Sequence, residues 1–106
     1  MILTNTETIP GKEIRQCLGV VSGSTVRAKH FFGRDFLSGL KNIIGGELKA
    51  YTELLGESRK EATQRMIDQA TQLGADAVVN VRYSTSSIAA GASEIYVYGT
   101  AVTTGK

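Results

Sequence analysis

Residues 49–82 read KAYTELLGESRKEATQRMIDQATQLGADAVVNVR, and the periodicity of this stretch decides the fold. Tyr51, Leu55, Ala62, Met66, Ala70 and Leu73 fall on one face of a helix that begins within residues 47–52 and runs to Leu73. Leu54 and Ile67 widen the stripe, and Glu53, Glu57, Lys60, Gln64, Asp68 and Gln72 form the solvated face. Glu61 and Arg65 stand four apart with the acid first, an exposed pair worth only ~0.3–0.5 kcal/mol. Burial of Leu55, Met66, Ile67 and Leu73 outweighs it, at roughly 1.5–3 kcal/mol per side chain before chain entropy is subtracted. Gly56 opposes a continuous helix by about 1 kcal/mol relative to alanine. The stripe on both sides of it overrides that cost, leaving a bend as the expected effect. Gly74 supplies the helix stop, Ala75-Asp76 the link, and Ala77 to Arg82 a strand.

Working outward, strand alternation places Ala77, Val79, Val81 and Tyr83 on one face and Val78, Asn80 and Arg82 on the other. Small and polar residues from Ser84 to Gly91 read as a connection. A last strand over residues 92–103 sets Ile95, Val97, Gly99 and Ala101 opposite Tyr96, Tyr98, Thr100 and Val102. Toward the N-terminus, Ile2-Leu3-Thr4 is a short extended piece and Pro10-Gly11 a turn. Residues 13–22 then alternate as a strand, with Ile14, Gln16, Leu18 and Val20 on one face and Arg15, Cys17, Gly19 and Val21 on the other; Gly23-Ser24 is a turn or bulge and Thr25-Val26 an extension. Phe36, Leu37, Leu40, Ile43 and Ile44 predict a short amphipathic helix over residues 34–44, closed by Gly45-Gly46. The order strand, helix, helix, strand, strand predicts an α+β fold: a two-layer sandwich of β-α-β-β outline with a three-stranded sheet and the helices on one face. The first two principal strands can lie parallel on either side of the third. The face away from the helices, with Cys17, Val78, Arg82, Tyr96, Tyr98 and Val102, is left open. Self-association is the simplest way to cover it, with Val78, Arg82, Tyr96 and Tyr98 as interface residues.

The 106 residues fit one domain, 1–106. Twelve Lys and Arg against ten Asp and Glu give a net charge of +2 with the signs interspersed. The longest basic run is Arg59-Lys60, so nucleic acid is not an expected partner. The first residues carry no secretory pattern, and no apolar run approaches the ~20 residues that span a bilayer. A lone cysteine, Cys17, fits a reducing compartment, and a cytoplasmic protein is expected.

Several segments together resemble the YbjQ-like family of small bacterial proteins of unknown function. They are residues 17–23 (CLGVVSG), Arg34-Asp35-Phe36 leading to Ile43-Ile44-Gly45-Gly46, Ala50-Tyr51, residues 73–79 (LGADAVV) and Gly99-Thr100-Ala101-Val102. The resemblance covers nearly the whole chain. It implies an α/β sandwich subunit that assembles into a ring-like homopentamer, and it brings a heavy-metal-binding label with no accepted set of ligand residues.

The side chains with chemistry to offer are few. Soft and borderline ions take thiolate and imidazole ligands, usually four in a closed zinc site. One Cys and one His, Cys17 and His30, are present, so a heavy-metal ion would need these residues repeated around an oligomer axis. The bland reading is a strand cysteine and a loop histidine. The same pair as nucleophile and base would make a small cysteine-dependent hydrolase or transferase, for which no orienting group or oxyanion site is signalled. Arg34 and Asp35 ahead of the first helix, with Tyr51 near the start of the second, could bind a small ligand. Asp35 is equally explained by the helix dipole. The leading reading is a homo-oligomeric binding or scaffolding module with no identifiable reaction; metal binding is the alternative.

Overall fold

The stripe of residues 51–73 forms helix α1, Gly46–Gln72, in the computed structural model, which describes residues 1–28, 46–89 and 92–105. Strands β1 (Ile2–Leu3), β2 (Glu13–Ala28), β3 (Ala77–Ala89) and β4 (Ala92–Gly105) make a sheet of order β1-β3-β4-β2. Both β2 and β3 run antiparallel to β4, so they flank it parallel to each other, as the sequence predicts. The sheet has four strands, not three: Ile2-Leu3 pairs in parallel with Ala77-Val78. The helix expected over residues 34–44 lies outside the described residues.

Helix α1 ends where Gly74 takes φ 85°. Its N–H donates to Thr71 O at 3.0 Å, and the N–H of Ala75 donates to Ala70 O at 3.1 Å, the paired bonds of a Schellman cap. Ala75 turns into the core behind this cap, while Leu73, expected in the stripe, is 47% exposed. Leu73 lies past the last helical residue, where the cap rather than the helical period sets its direction.

The observed stripe is Leu55, Ser58, Ala62, Met66 and Ala70, and it is narrow because the helix lies very close to β2. A Cβ on Gly23 would collide with the carbonyl oxygen of Ala62 and lie 2.7 Å from Met66 N. Backbone therefore packs on backbone, and only small residues fit the stripe at this crossing. Thr25 Oγ1 donates to Ser58 O at 3.1 Å, satisfying a buried hydroxyl in the same contact. Beyond the crossing, Gln69 Oε1 accepts from Ser22 N at 2.8 Å, and Arg65 donates to Ser24 O. Two helix side chains thus occupy outward backbone groups of the edge strand, which would otherwise pair with another chain. Met66, Val21, Val78 and Val97 are fully buried in the main core between helix and sheet. A smaller cluster of Ile9, Ala77, Val79 and Val102 packs on the reverse face with Ile14. The turn that brings Ile9 there is closed by Lys12 N–H to Ile9 O at 3.0 Å.

Bulges break the strand alternation. In β3 the register with β4 shifts between Val79 and Arg82, and Asn80 takes φ 55°. Asparagine tolerates this left-handed conformation better than branched residues do. Asn80 N–H donates to Thr6 O and Val81 N–H to Thr4 O, both at 3.0 Å, so the bulge also anchors the chain after β1. Because of it Val78 and Val81 both face the helix, and Val78 does not point to the open face as alternation predicts. In β2 shifts fall between Ile14 and Gln16 and between Cys17 and Gly19. Leu18 and Val21 accordingly both pack against the core, and Val20 faces outward at 73% exposure. Residues 84–89, within the expected connection, continue β3 instead: Ser84 to Ser87 and Ala89 find partners on β4, with a register shift at Ile88. Gly23, expected to turn or bulge, runs straight through β2.

Gly23→Ala is expected to lower the unfolding free energy by about 1–3 kcal/mol through overpacking. Urea titration checks this, and an unchanged midpoint would mean that helix and strand do not touch there. At Asn80, valine is expected to cost about 1–2 kcal/mol and glycine less than about 0.5 kcal/mol. Equal thermal midpoints for the two variants would remove the bulge from the account.

Candidate functional site

Strand β4 is central, so its outward residues have a strand on each side. Tyr98 stands in register between Ser22 of β2 and Arg82 of β3, and Tyr96 between Ser24 and Ser84. Serine at three of these four flanking positions leaves the rings open, and Arg82 is the one large neighbour. The ring centroids are 5.6 Å apart with planes tilted by 32°, and Tyr98 remains 39% exposed. Val20 lies next along this face, in register with Thr100. Arg82 is held at the boundary with the covered half: its Nη1 donates to Asn5 O at 2.8 Å and to Val81 O at 3.1 Å. The face therefore has a dry half under Ile9 and Ile14 and an open half of two phenols, an aliphatic side chain, serines and one positioned guanidinium.

Tyrosine offers a large, stiff apolar ring and one hydroxyl, which suits partner contacts. Among the described residues no three His, Cys, Asp or Glu side chains come together, and no buried side-chain polar atom lacks a partner. Cys17 is an exposed thiol on edge strand β2, at the register position opposite Val102. A closed site for a soft ion needs about four ligands, and the described residues of one chain do not fit one.

Of the sequence-predicted interface residues, Arg82, Tyr96 and Tyr98 share the open face. Val78 is excluded from it, being fully buried on the helix side by the Asn80 bulge. His30, Arg34 and Asp35 lie outside the described residues. Tyr51 belongs to α1, and its side chain lies outside what is described. Sequence reasoning missed Val20 and the Asn5 carbonyl that fixes Arg82. Gly19 was the available signal for Val20, since a glycine within a strand marks the bulge that turns its neighbours over. No described helix is long and apolar enough to cross a membrane.

Comparison with known proteins agrees with the fold. The family model YbjQ_1, described as "Putative heavy-metal-binding", matches residues 1–105. A UPF0145 protein of Hahella chejuensis is 63% identical over 102 residues, covering 96% of this chain and 97% of the relative. One from Acinetobacter baylyi is 70% identical over 94 residues, 89% of this chain and 86% of the relative. One from Archaeoglobus fulgidus is 60% identical over 102 residues, 96% and 94% respectively. A crystal structure from Pediococcus pentosaceus, of a protein of unknown function in the DUF74 family, aligns with TM-score 0.64. That alignment covers 97% of this chain and 96% of the other at 17% identity, a likeness of fold alone. With a family model matching nearly its whole length and relatives at 60% identity or more, the chain belongs to the UPF0145 (YbjQ_1) family.

Proposed function

We propose that this chain is a self-associating binding or scaffolding module, a ring-forming subunit and by resemblance a homopentamer, with the open Tyr96-Tyr98 face at the subunit boundary. The observation that carries the reading is that face. It sets two adjacent phenol rings on central strand β4, with Val20 exposed beside them on β2, while α1 packs on the other side over β2 and β4. The edges add a second argument. Helix side chains occupy outward groups of β2, while on the opposite edge the described bonds from residues 2–6 reach along β3 only to Val81. An open edge and an open face on different parts of one subunit suit a head-to-tail contact, which forms a ring where the rotation between copies closes. A cytoplasmic setting suits the lone exposed thiol.

A second reading rests on Cys17 and on the family description: a soft ion held between Cys17 thiolates of several copies, with His30 as a further ligand. It requires the assembly and adds nothing to the fold of one chain.

Light scattering at micromolar concentration is expected to return roughly five times the 11.3 kDa subunit mass. A monomer mass would reject the assembly. Tyr98→Asp is expected to weaken association by about 2 kcal/mol or more while leaving the circular dichroism spectrum intact. Unchanged mass would show that Tyr98 is not at the boundary. For the second reading, elemental analysis of tag-free protein is decisive. Stoichiometric metal that disappears in Cys17→Ser His30→Ala supports it; metal-free wild type, or equal metal in the variant, rejects it.

A further inference from the structure

On the helix side of the sheet, away from the tyrosine face, α1 lies over β2 and β4 and barely touches β3. The gap is an open cleft of ≈ 850 Å³ lined by Gly56, Arg59, Lys60, Thr63, Gln64, Ile67 and Tyr83. Gly56, Arg59, Lys60, Thr63 and Ile67 recur at helical steps of three and four, so they form one stripe beside the core stripe. The apolar part of the lining comes from Ile67, the Tyr83 ring and the bare backbone at Gly56. The charged part comes from Arg59 and Lys60, and among the described residues no acidic side chain belongs to the lining.

Two details give this cleft a direction. The first is Gly56. A Cβ there would meet nothing nearer than Arg59 Nη2 at 3.8 Å, so no contact within the described chain requires a glycine in the middle of this helix. The second is a chain of hydroxyls. Thr63 Oγ1 donates its proton to Arg59 O at 2.7 Å, so in the 2.9 Å contact with Tyr83 it must accept, and Tyr83 is the donor. With its proton engaged, the Tyr83 phenol presents a ring wall. The cationic donors left to meet an anion are the Arg59 guanidinium and the Lys60 ammonium, while Gln64 Nε2 donates to Asp68 Oδ1 at 2.8 Å.

We infer that this cleft binds a small organic anion, with an apolar aryl or short-acyl body against Ile67, Gly56 and Tyr83 and an oxyanion head against Arg59 and Lys60. The volume falls in the range of small-molecule sites, and a few convergent polar groups on a mostly apolar lining are their usual composition. The inference does not depend on the reading of the tyrosine face, which lies on the other side of the sheet.

The test uses the full chain with 1-naphthyl phosphate, 2-naphthoate, neutral 1-naphthol and inorganic phosphate as probes. Titration is followed by amide chemical shifts, which also locate the site. Saturable shifts are expected around residues 56–67 and Tyr83 with the two naphthyl anions, and the relative affinities of phosphate and carboxylate identify the preferred head group. Inorganic phosphate and 1-naphthol are each expected to bind roughly tenfold or more weakly, as is 1-naphthyl phosphate to Arg59→Gln Lys60→Gln. Gly56→Leu is expected to raise the thermal midpoint and to weaken binding together, a combination that damage to the fold would not produce. The inference is overturned by absence of saturable shifts at millimolar probe, by shifts centred on Tyr96 and Tyr98 instead, or by unchanged affinity in either variant. It is equally overturned if the charge variant changes the assembly mass and no anion binds, since a second copy would then fill the cleft.

Discussion

The contact of α1 with β2 at Gly23 governs the arrangement of the rest. Where a side chain would stand on Gly23, the carbonyl of Ala62 stands instead, and nothing larger than backbone separates the two layers there. This explains why Ser58, Ala62 and Ala70 occupy the buried line of the helix, with Met66 the one large side chain fully enclosed there. It also brings Arg65 and Gln69 within reach of the outer backbone groups of β2. A helix drawn so tightly to one side cannot also cover β3, so Tyr83 is half in water and the cleft beside it follows from the same contact.

Much of this was legible in the sequence, and the failures share a cause. The α1 stripe, the Gly74 stop and the alternation of β4 follow from side-chain period alone, so Ile95 and Val97 are found under the helix and Tyr96 and Tyr98 away from it. Period fails where the backbone inserts a residue. Asn80 and the segment about Leu18 each shift the register, and each shift reverses the faces of the residues beyond it. That is why Val78 lies inside and Val20 outside, against expectation. Residues 84–89 show the complementary error: polarity argues for a loop, but backbone pairing with β4 decides the matter, and side-chain character says little about it. Strand β1, two residues long, is too short to carry a pattern of its own.

The candidate sites divide along the same line. The open face was readable because β4 is regular across it. The cleft was not, because its walls come from a helix and a strand related only by tertiary packing. Arg59 and Lys60 read in sequence as ordinary surface charge, and Gly56 as a local weakness of the helix. Only their placement around one gap, with Tyr83 opposite, turns the three into a binding surface.

The pairing of β1 with β3 has a consequence for the order of assembly. Helix α1, the short link at Ala75-Asp76 and the β3–β4 hairpin are neighbours in sequence and can form with little loop closure. Ile2 and Leu3 must cross most of the chain to reach Ala77 and Val78, and the reverse-face cluster further requires Ile9 to meet Val102. Contacts of such separation carry the largest entropic cost of closure. Residues 2–9 therefore join after the helix and the β3–β4 pair have formed, and the dry half of the reverse face is sealed only when Ile9 returns to Val102.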